Sequence, residues 1–243
     1  MSPDSAPILN VSKLVKRFGG FHALDGLSFH VASGEILGLV GPNGSGKTTA
    51  INVISGLYAP DGGGVVLDGT AIGGVASHKL VHRGINRTFQ VPKPFLSLTV
   101  RQNIEVALAY GRAAVAPPGM ATLLDEYRLA DVADRPAADL NNAQQKMLDL
   151  VRALATRPRL LLLDELAAGL NPAELDWIAE RIKALAQAGM AIIVVEHLMG
   201  FIEHITDRVI VMNAGKEIFE GRLAEASRNP QVVEVFLGDE NAA

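Results

Sequence analysis

The eight residues Gly41-Pro42-Asn43-Gly44-Ser45-Gly46-Lys47-Thr48 constrain the chain more than any other stretch. An apolar run of strand length, Glu35-Ile36-Leu37-Gly38-Leu39-Val40, leads into them, and Thr49-Ala50-Ile51-Asn52-Val53-Ile54 leads out, closed by Ser55-Gly56. The order is strand, glycine-rich loop, helix, with Gly56 as the helix stop. The spacing matches G-x-x-x-x-G-K-[ST] in the structural context that the motif requires, so a plain glycine-rich turn is the poorer reading. Glycines let successive N–H groups turn inward as an anion nest, and the helix N-terminus adds partial positive charge. In such a loop Lys47 reaches the β- and γ-phosphates of a bound nucleotide and the Thr48 hydroxyl holds Mg²⁺. The expected phosphate cradle runs from Gly41 through Thr49.

The bulk of the chain narrows the remaining choices. With 243 residues, 49% hydrophobic and 20% charged, it is globular and long enough for one large domain or two lobes of a common core. A net charge of −4 with no basic tail or stripe does not favour sequence-independent nucleic-acid binding. No cysteine is present, which removes disulfide and thiolate chemistry and is consistent with a cytosolic location. Residues 1–7 are short and polar and carry no apolar signal segment. The densest apolar runs, 160–163 and 191–195, fall far below the roughly 20 residues that cross a bilayer, so the chain is not expected to span a membrane.

Taken in order, residues 8–11 and 27–31 alternate like strands, with a turn at Gly19-Gly20 between them. By position alone Phe18 reads as core. Residues 60–64 read as a turn cluster, 65–67 as a strand, 68–69 as a turn and 76–83 as a short helix. Residues 84–90 return as a strand, and Pro92 and Pro94 break regular structure straight after Gln90. A polar residue entering a loop from a strand end is a common ligand contact, although on its own Gln90 is an ordinary surface glutamine. Residues 99–114 look helical, with Thr99 and Gln102 spaced as a capping box. A loop follows at 115–119, then helical segments over 120–132. Asn142 and Gln145 have capping-box spacing at the start of a helix running to about residue 156, and Pro158 stops it.

Leu160-Leu161-Leu162-Leu163-Asp164-Glu165 is an apolar strand ending in two carboxylates. A continuous apolar run fits a strand buried on both faces of a parallel sheet, and ligand-facing carboxylates belong at its C-terminal end. Asp164 is expected to orient Mg²⁺ and Glu165 to act as the general base on the attacking water. Residues 173–188 form an amphipathic helix. Residues 191–195 form a second buried strand ending in Glu196-His197, where His197 can reach a γ-phosphate and the attacking water. Residues 209–212 are a further strand, 213–216 a turn, and 222–237 look helical.

In combination these residues resemble the ATP-binding subunit of ABC transporters over nearly the whole chain. The order is P-loop at 41–48, Gln90, a signature-like segment at 140–145, Asp164-Glu165, Gly169-Leu170-Asn171-Pro172 and His197. Within that family the chain is most similar to the branched-chain amino-acid and amide uptake subgroup, on Arg17-Phe18-Gly19-Gly20, Arg87-Thr88-Phe89-Gln90, Ala167-Ala168-Gly169-Leu170-Asn171-Pro172, Glu196-His197 and Phe236-Leu237-Gly238. The resemblance implies an α/β fold: a P-loop NTPase (RecA-like) core with an N-terminal antiparallel β-subdomain and an inserted α-helical subdomain. It implies one domain over 1–243, divided as 1–90 and 157–243 around a helical part at about 91–156.

The resemblance also implies ATP and Mg²⁺ as ligands and a peripheral position on the cytoplasmic face of the membrane. It makes Phe18 the residue that stacks on adenine, and Gln90 a contact to Mg²⁺ or the lytic water. The 91–98 loop would meet the transmembrane permease subunits, which in turn serve a solute-binding protein. Two ATPase subunits would sandwich two ATP molecules, each P-loop facing the other subunit's signature.

One departure matters. The family signature is Leu-Ser-x-Gly-Gln, and here it reads Leu140-Asn141-Asn142-Ala143-Gln144. Ala143 keeps its N–H but adds a methyl group and restricts φ, while Asn141 still offers an amide donor. A weakened signature is expected, which would impair both sites of a homodimer but only the partner's site in a heterodimer. The heterodimer is favoured. Two other readings stand beside the transport motor. One is a nucleotide-binding clamp with weak turnover, against which Glu165 counts. The other is a soluble ABC ATPase of DNA repair or ribosomes, against which the single P-loop counts.

Overall fold

Strands that are apolar at every position need cover on both faces, and three of them determine the architecture. In the computed structural model residues 7–112, 116 and 118–240 are described, with backbone only for 237–240. The elements in chain order are β1 (Leu9–Phe18), β2 (Phe21–Val31), β3 (Ile36–Val40), α1 (Lys47–Ile54), β4 (Gly62–Leu67), β5 (Thr70–Ala71), α2 (Ser77–Arg83) and β6 (Ile85–Arg87). They continue with α3 (Val100–Ala109), α4 (Met120–Glu126), α5 (Asn142–Ala155), β7 (Leu160–Asp164), α6 (Pro172–Gln187) and β8 (Ala191–Val195). The chain closes with α7 (Met199–Ile205), β9 (Arg208–Asn213), β10 (Lys216–Gly221), α8 (Leu223–Ala226) and α9 (Pro230–Glu240).

One sheet is antiparallel, in the order β2-β1-β4-β5; the other has six strands in the order β10-β9-β3-β8-β7-β6. All neighbours in the second sheet are parallel except β10 on β9. Each central strand divides its side chains between two cores. Leu161 and Leu163 of β7 join the core under α3–α7, while Leu160 and Leu162 join the core shared with α1 and the antiparallel sheet. In β8, Ile192 and Val194 take the first side, and Ala191, Ile193 and Val195 the second.

Several elements differ from the sequence reading. The first two strands are longer, because β1 and β2 pair along their whole length up to the Gly19-Gly20 turn. Gly62, Gly63 and Gly64 lie in β4 rather than in a turn. Gly63 has φ +76°, and a Cβ there would collide with the Ser12 and Lys13 carbonyls, so glycine lets the bulged β1 approach. The strand expected over 84–90 covers only Ile85–Arg87. Helix α3 stops at Ala109; its capping box, Thr99 with Gln102, is present as read. Of the loop at 115–119, residues 115 and 117 lie outside the described residues, as do residues 1–6. After α4, Arg128 turns to φ +56°, and only a 3₁₀ turn follows at Ala130–Val132.

The capping box of α5 is Asn141 with Gln144, not Asn142 with Gln145. Asn141 is extended and its Oδ1 accepts from Gln144 N at 2.8 Å, whereas Gln145 Nε2 donates to the Leu140 carbonyl. The strand β10 was not foreseen, and the single tail helix is two, α8 and α9.

Leu162 is fully buried in the core shared with α1 and the antiparallel sheet. Leu162→Ala is therefore expected to cost about 2–5 kcal/mol, read as a lower urea midpoint with an unchanged m-value.

Candidate nucleotide site

The P-loop leaves β3 at Val40 and enters α1 at Lys47. Gly41 has φ +147° and Gly46 +106°, and a Cβ at either would strike a backbone carbonyl, of Met212 and Ala23 respectively. The turn therefore requires glycine where the loop is tied to the sheet. Lys47 folds back over it, its Nζ donating to the carbonyls of Gly41 at 2.6 Å and Pro42 at 2.8 Å. Ser45 is buried beneath, while Asn43, Gly44 and Thr48 face solvent. A cavity of about 320 Å³ lies against the loop, lined by Asn43, Gly44, Gly46, Lys47, Thr48 and Thr49 on one side and by Gln90, Glu165 and His197 on the other, with Phe21 and Ala23 at its rim. A larger cavity of about 420 Å³ beside α7–α9 is lined mostly by apolar groups such as Val211, Val232 and Phe236, and lies away from these groups.

Strand order explains the meeting. Gln90 follows β6, Glu165 follows β7 and His197 follows β8, three adjacent parallel strands that end on the same edge, with the P-loop after the next strand. Glu165 adopts φ +51°, which turns it away from the line of β7. Its Oε2 accepts from Gln90 Nε2 at 2.7 Å, and its Oε1 lies 3.0 Å from His197 Nε2. Asp164 points inward instead. Its Oδ2 accepts from Arg87 Nη2 at 3.0 Å, and Arg87 also donates to Asn52 Oδ1 at 2.5 Å and Ser55 Oγ at 3.2 Å on the P-loop helix and its cap. Burial pushes the Asp164 carboxyl above its usual range, and the Arg87 charge opposes that shift.

Among the described residues no group of three or more His, Asp or Glu could hold a metal by itself. Of the three expected magnesium contacts, Thr48 and Gln90 line the cavity while Asp164 is turned inward onto Arg87; their oxygens are hard donors that suit magnesium only with phosphate oxygens completing the shell.

The remaining candidates stand apart. Phe18 is 45% exposed and packs edge-on to Tyr58 at 5.3 Å, outside the cavity lining, where Phe21 sits instead, 61% exposed. Asn141, Ala143 and Gln144 border a separate cavity of about 190 Å³ with Tyr127, Arg128 and Trp177. Within one chain they do not meet the P-loop.

Four buried charged residues around the site were given no role in the sequence: Arg87, Lys146, Asp149 and Glu196. Arg87 and Glu196 stood within noted motifs, and Lys146 and Asp149 show only as polar residues where α5 turns inward. Glu196 Oε1 accepts from Ala167 N at 2.6 Å, and burial pushes its carboxyl up to about 7.

A phosphate-binding loop facing a Gln–Glu–His group across parallel strand ends defines a nucleotide-binding cassette of the ABC type. A family model described as "ABC transporter" matches residues 24–168, and the chain belongs to that family. It is 36% identical to the high-affinity branched-chain amino acid transport ATP-binding protein BraF of Pseudomonas aeruginosa, over 97% of this chain and 99% of that protein. It is 34% identical to LivG of Escherichia coli K12, over the same shares. Among solved structures, a nucleotide-free ATP-binding cassette from an ABC transporter superposes with TM-score 0.85 at 31% identity, covering 95% of this chain and 99% of that one. An ATP-binding cassette in its ADP conformation gives 0.84 at 33%, covering 96% and 100%.

Because Glu196 ionises at about 7 folded and near 4.5 unfolded, its burial costs nothing below pH 4.5 and costs most above pH 7. Glu196→Gln keeps an acceptor for Ala167 N without the charge. Its melting temperature is expected to exceed that of the parent by roughly 3–8 °C at pH 8, with the gap closing below pH 5.

Proposed function

We propose that this chain is the ATP-hydrolysing subunit of an importer for branched-chain or related amino acids. The carrying observation is the convergence of Gln90, Glu165 and His197 opposite the P-loop. The amino-acid cargo is supported by the names of BraF and LivG. No helix among the described residues is long and apolar enough to cross a membrane. That agrees with a peripheral subunit on the cytoplasmic face that acts on separate permease subunits, themselves fed by a solute-binding protein. The 91–98 loop exposes Val91, Phe95 and Leu96, an apolar surface of the kind a permease would cover. The chain would act as one domain, with residues 91–156 as its helical part.

In this reading the N–H groups from Gly41 to Thr49 receive the phosphates, and Lys47 leaves the Gly41 and Pro42 carbonyls for the β- and γ-oxygens. Thr48, Asp164 and Gln90, with the phosphates, would hold Mg²⁺, which would supply neutralisation of the charge that develops on the leaving oxygens. Glu165 takes the proton of the attacking water, and His197 and Gln90 orient that water and the γ-phosphate. Phe18 stacks on adenine from the hairpin end. Hydrolysis needs a second ATPase subunit, whose P-loop faces Asn141, Ala143 and Gln144 of this chain. A clamp with slow turnover is the second reading, favoured by the Ala143 methyl.

Glu165→Gln removes the base and traps closed dimers. With Mg·ATP, light scattering is expected to shift from 25.7 kDa to about twice that mass if the chain pairs with itself. A monomer that binds ATP points to a distinct ATPase partner, and a chain that binds no ATP refutes the proposal. Asn141→Ser with Ala143→Gly is expected to raise hydrolysis in the assembled complex about 10- to 100-fold, if the methyl costs roughly 1–3 kcal/mol in the closed state. Unchanged hydrolysis there would show that the signature is not weakened.

A further inference from the structure

Helix α5 presents Asn141 to solvent at its start, but one turn later it faces inward with a charge. Lys146 is 5% exposed, and its Nζ donates to three carbonyls of one short stretch: Glu165 at 2.8 Å, Leu166 at 3.2 Å and Ala168 at 2.6 Å. An ammonium has three N–H donors, and all three are matched. From the opposite side Glu196 holds the N–H of Ala167 at 2.6 Å. Every residue from 165 to 168 thus has a backbone atom held by the buried side chain of Lys146 or Glu196.

The grip sits where the backbone needs it. Glu165 holds φ +51°, a conformation that is unfavourable for a non-glycine residue and persists only where its surroundings fix it. Charge-assisted hydrogen bonds are strong enough to do so. One turn further along α5, Asp149 Oδ2 accepts from Phe89 N at 2.9 Å, and Arg152 Nη1 donates to the Lys93 carbonyl at 2.8 Å. These bonds hold the chain on both sides of Gln90. The two arms of the Gln90–Glu165 contact are therefore both anchored to α5.

We propose that Lys146 is a positioning residue for Glu165, and that α5, through Lys146 and Asp149, makes the arrangement of this chain's own base follow the helix whose N-terminus faces the partner's nucleotide. This rests on the reading of Glu165 as the base. It makes the two sites of a dimer communicate through one rigid helix.

The test compares Lys146→Met, Lys146→Arg and Glu165→Gln in the full chain assembled with its second ATPase subunit, reading Mg·ATP turnover, KM and ATP affinity separately. Lys146→Met is expected to lower kcat 10- to 100-fold with KM and ATP affinity within threefold of the parent. Lys146→Arg, which keeps the charge and several donors, is expected to stay within about fivefold of the parent. Independently of turnover, hydrogen exchange of the 166–170 amides should quicken at least tenfold in Lys146→Met while α1 is unchanged. If Lys146→Met does not fold, Lys146→Gln, with two N–H donors and no charge, should fall between parent and the expected loss. Parent-like turnover or exchange in the neutral variant, or a Lys146→Arg as slow as it, overturns the proposal. If Glu165→Gln keeps its turnover, the reading of the base falls and this inference with it. If Glu165→Gln is inactive while Lys146→Met is not, only this inference falls.

Discussion

The burial of β7 on both faces is the constraint on which the site depends. Each of its four leucines enters one of two cores, so the strand can neither slide by one residue nor rotate without exchanging those cores. Its first polar residues can appear only where the layers end, at Asp164 and Glu165. The neighbours β6 and β8 run parallel and in register, so their ends lie on the same edge. A glutamate, a glutamine and a histidine from distant parts of the chain arrive there because three strands are packed, and not through contacts among the three residues.

That edge is then stitched from behind by charges. Arg87 spans Asp164, Asn52 and Ser55, joining the end of β7 to the P-loop helix. A buried ion pair of this kind adds little net stability over an apolar replacement, yet leaving one partner alone costs about 3–5 kcal/mol. Its value lies in geometry. Asp164 is tied through Arg87 to the helix that follows the P-loop, and the Arg87 charge opposes the upward push that burial gives its carboxyl. Asp149 does similar work for the chain around Gln90, with Arg152 beside it.

What the sequence made legible follows from range. The P-loop, β7, β8 and the Thr99 cap are written in consecutive residues, and each appears as read. Glu165 and His197 could be placed by their strand ends, but Gln90 joined them only through family resemblance, since its meeting with them is a property of strand order. Lys146 has no visible role in the sequence because a lysine inside an amphipathic pattern reads as solvated, and Glu196, noted only beside His197 at the end of β8, has none because its partner lies 29 residues away; only the tertiary fold reveals carbonyls converging on one and an N–H aimed at the other. The α5 cap was misread by one residue because Asn141 and Asn142 both suit an N-cap, with Gln144 and Gln145 both in position to close the box; backbone geometry decides for the first. The strand β10 was missed because Lys216–Gly221 alternates weakly, and its pairing with β9 carries it.

The signature segment shows what that cap implies. In the capping box Asn141 Oδ1 receives Gln144 N and Gln144 Oε1 receives Asn141 N, so both side chains spend their acceptors on the helix start. What remains directed outward is donor capacity: the Asn141 amide and the first N–H groups of α5, backed by the helix dipole. An anion is the ligand such an end favours, which is what an opposing γ-phosphate supplies. The Ala143 methyl group acts against this only by limiting how near the phosphate can come, a steric cost and not a loss of donors. The segment thus keeps the donors and dipole of a signature while adding a methyl group, and the helix it opens holds the backbone of residues 165–168 through Lys146 and the chain around Gln90 through Asp149 and Arg152, so in the proposed dimer a change of distance at its start would reach Glu165 through one rigid element.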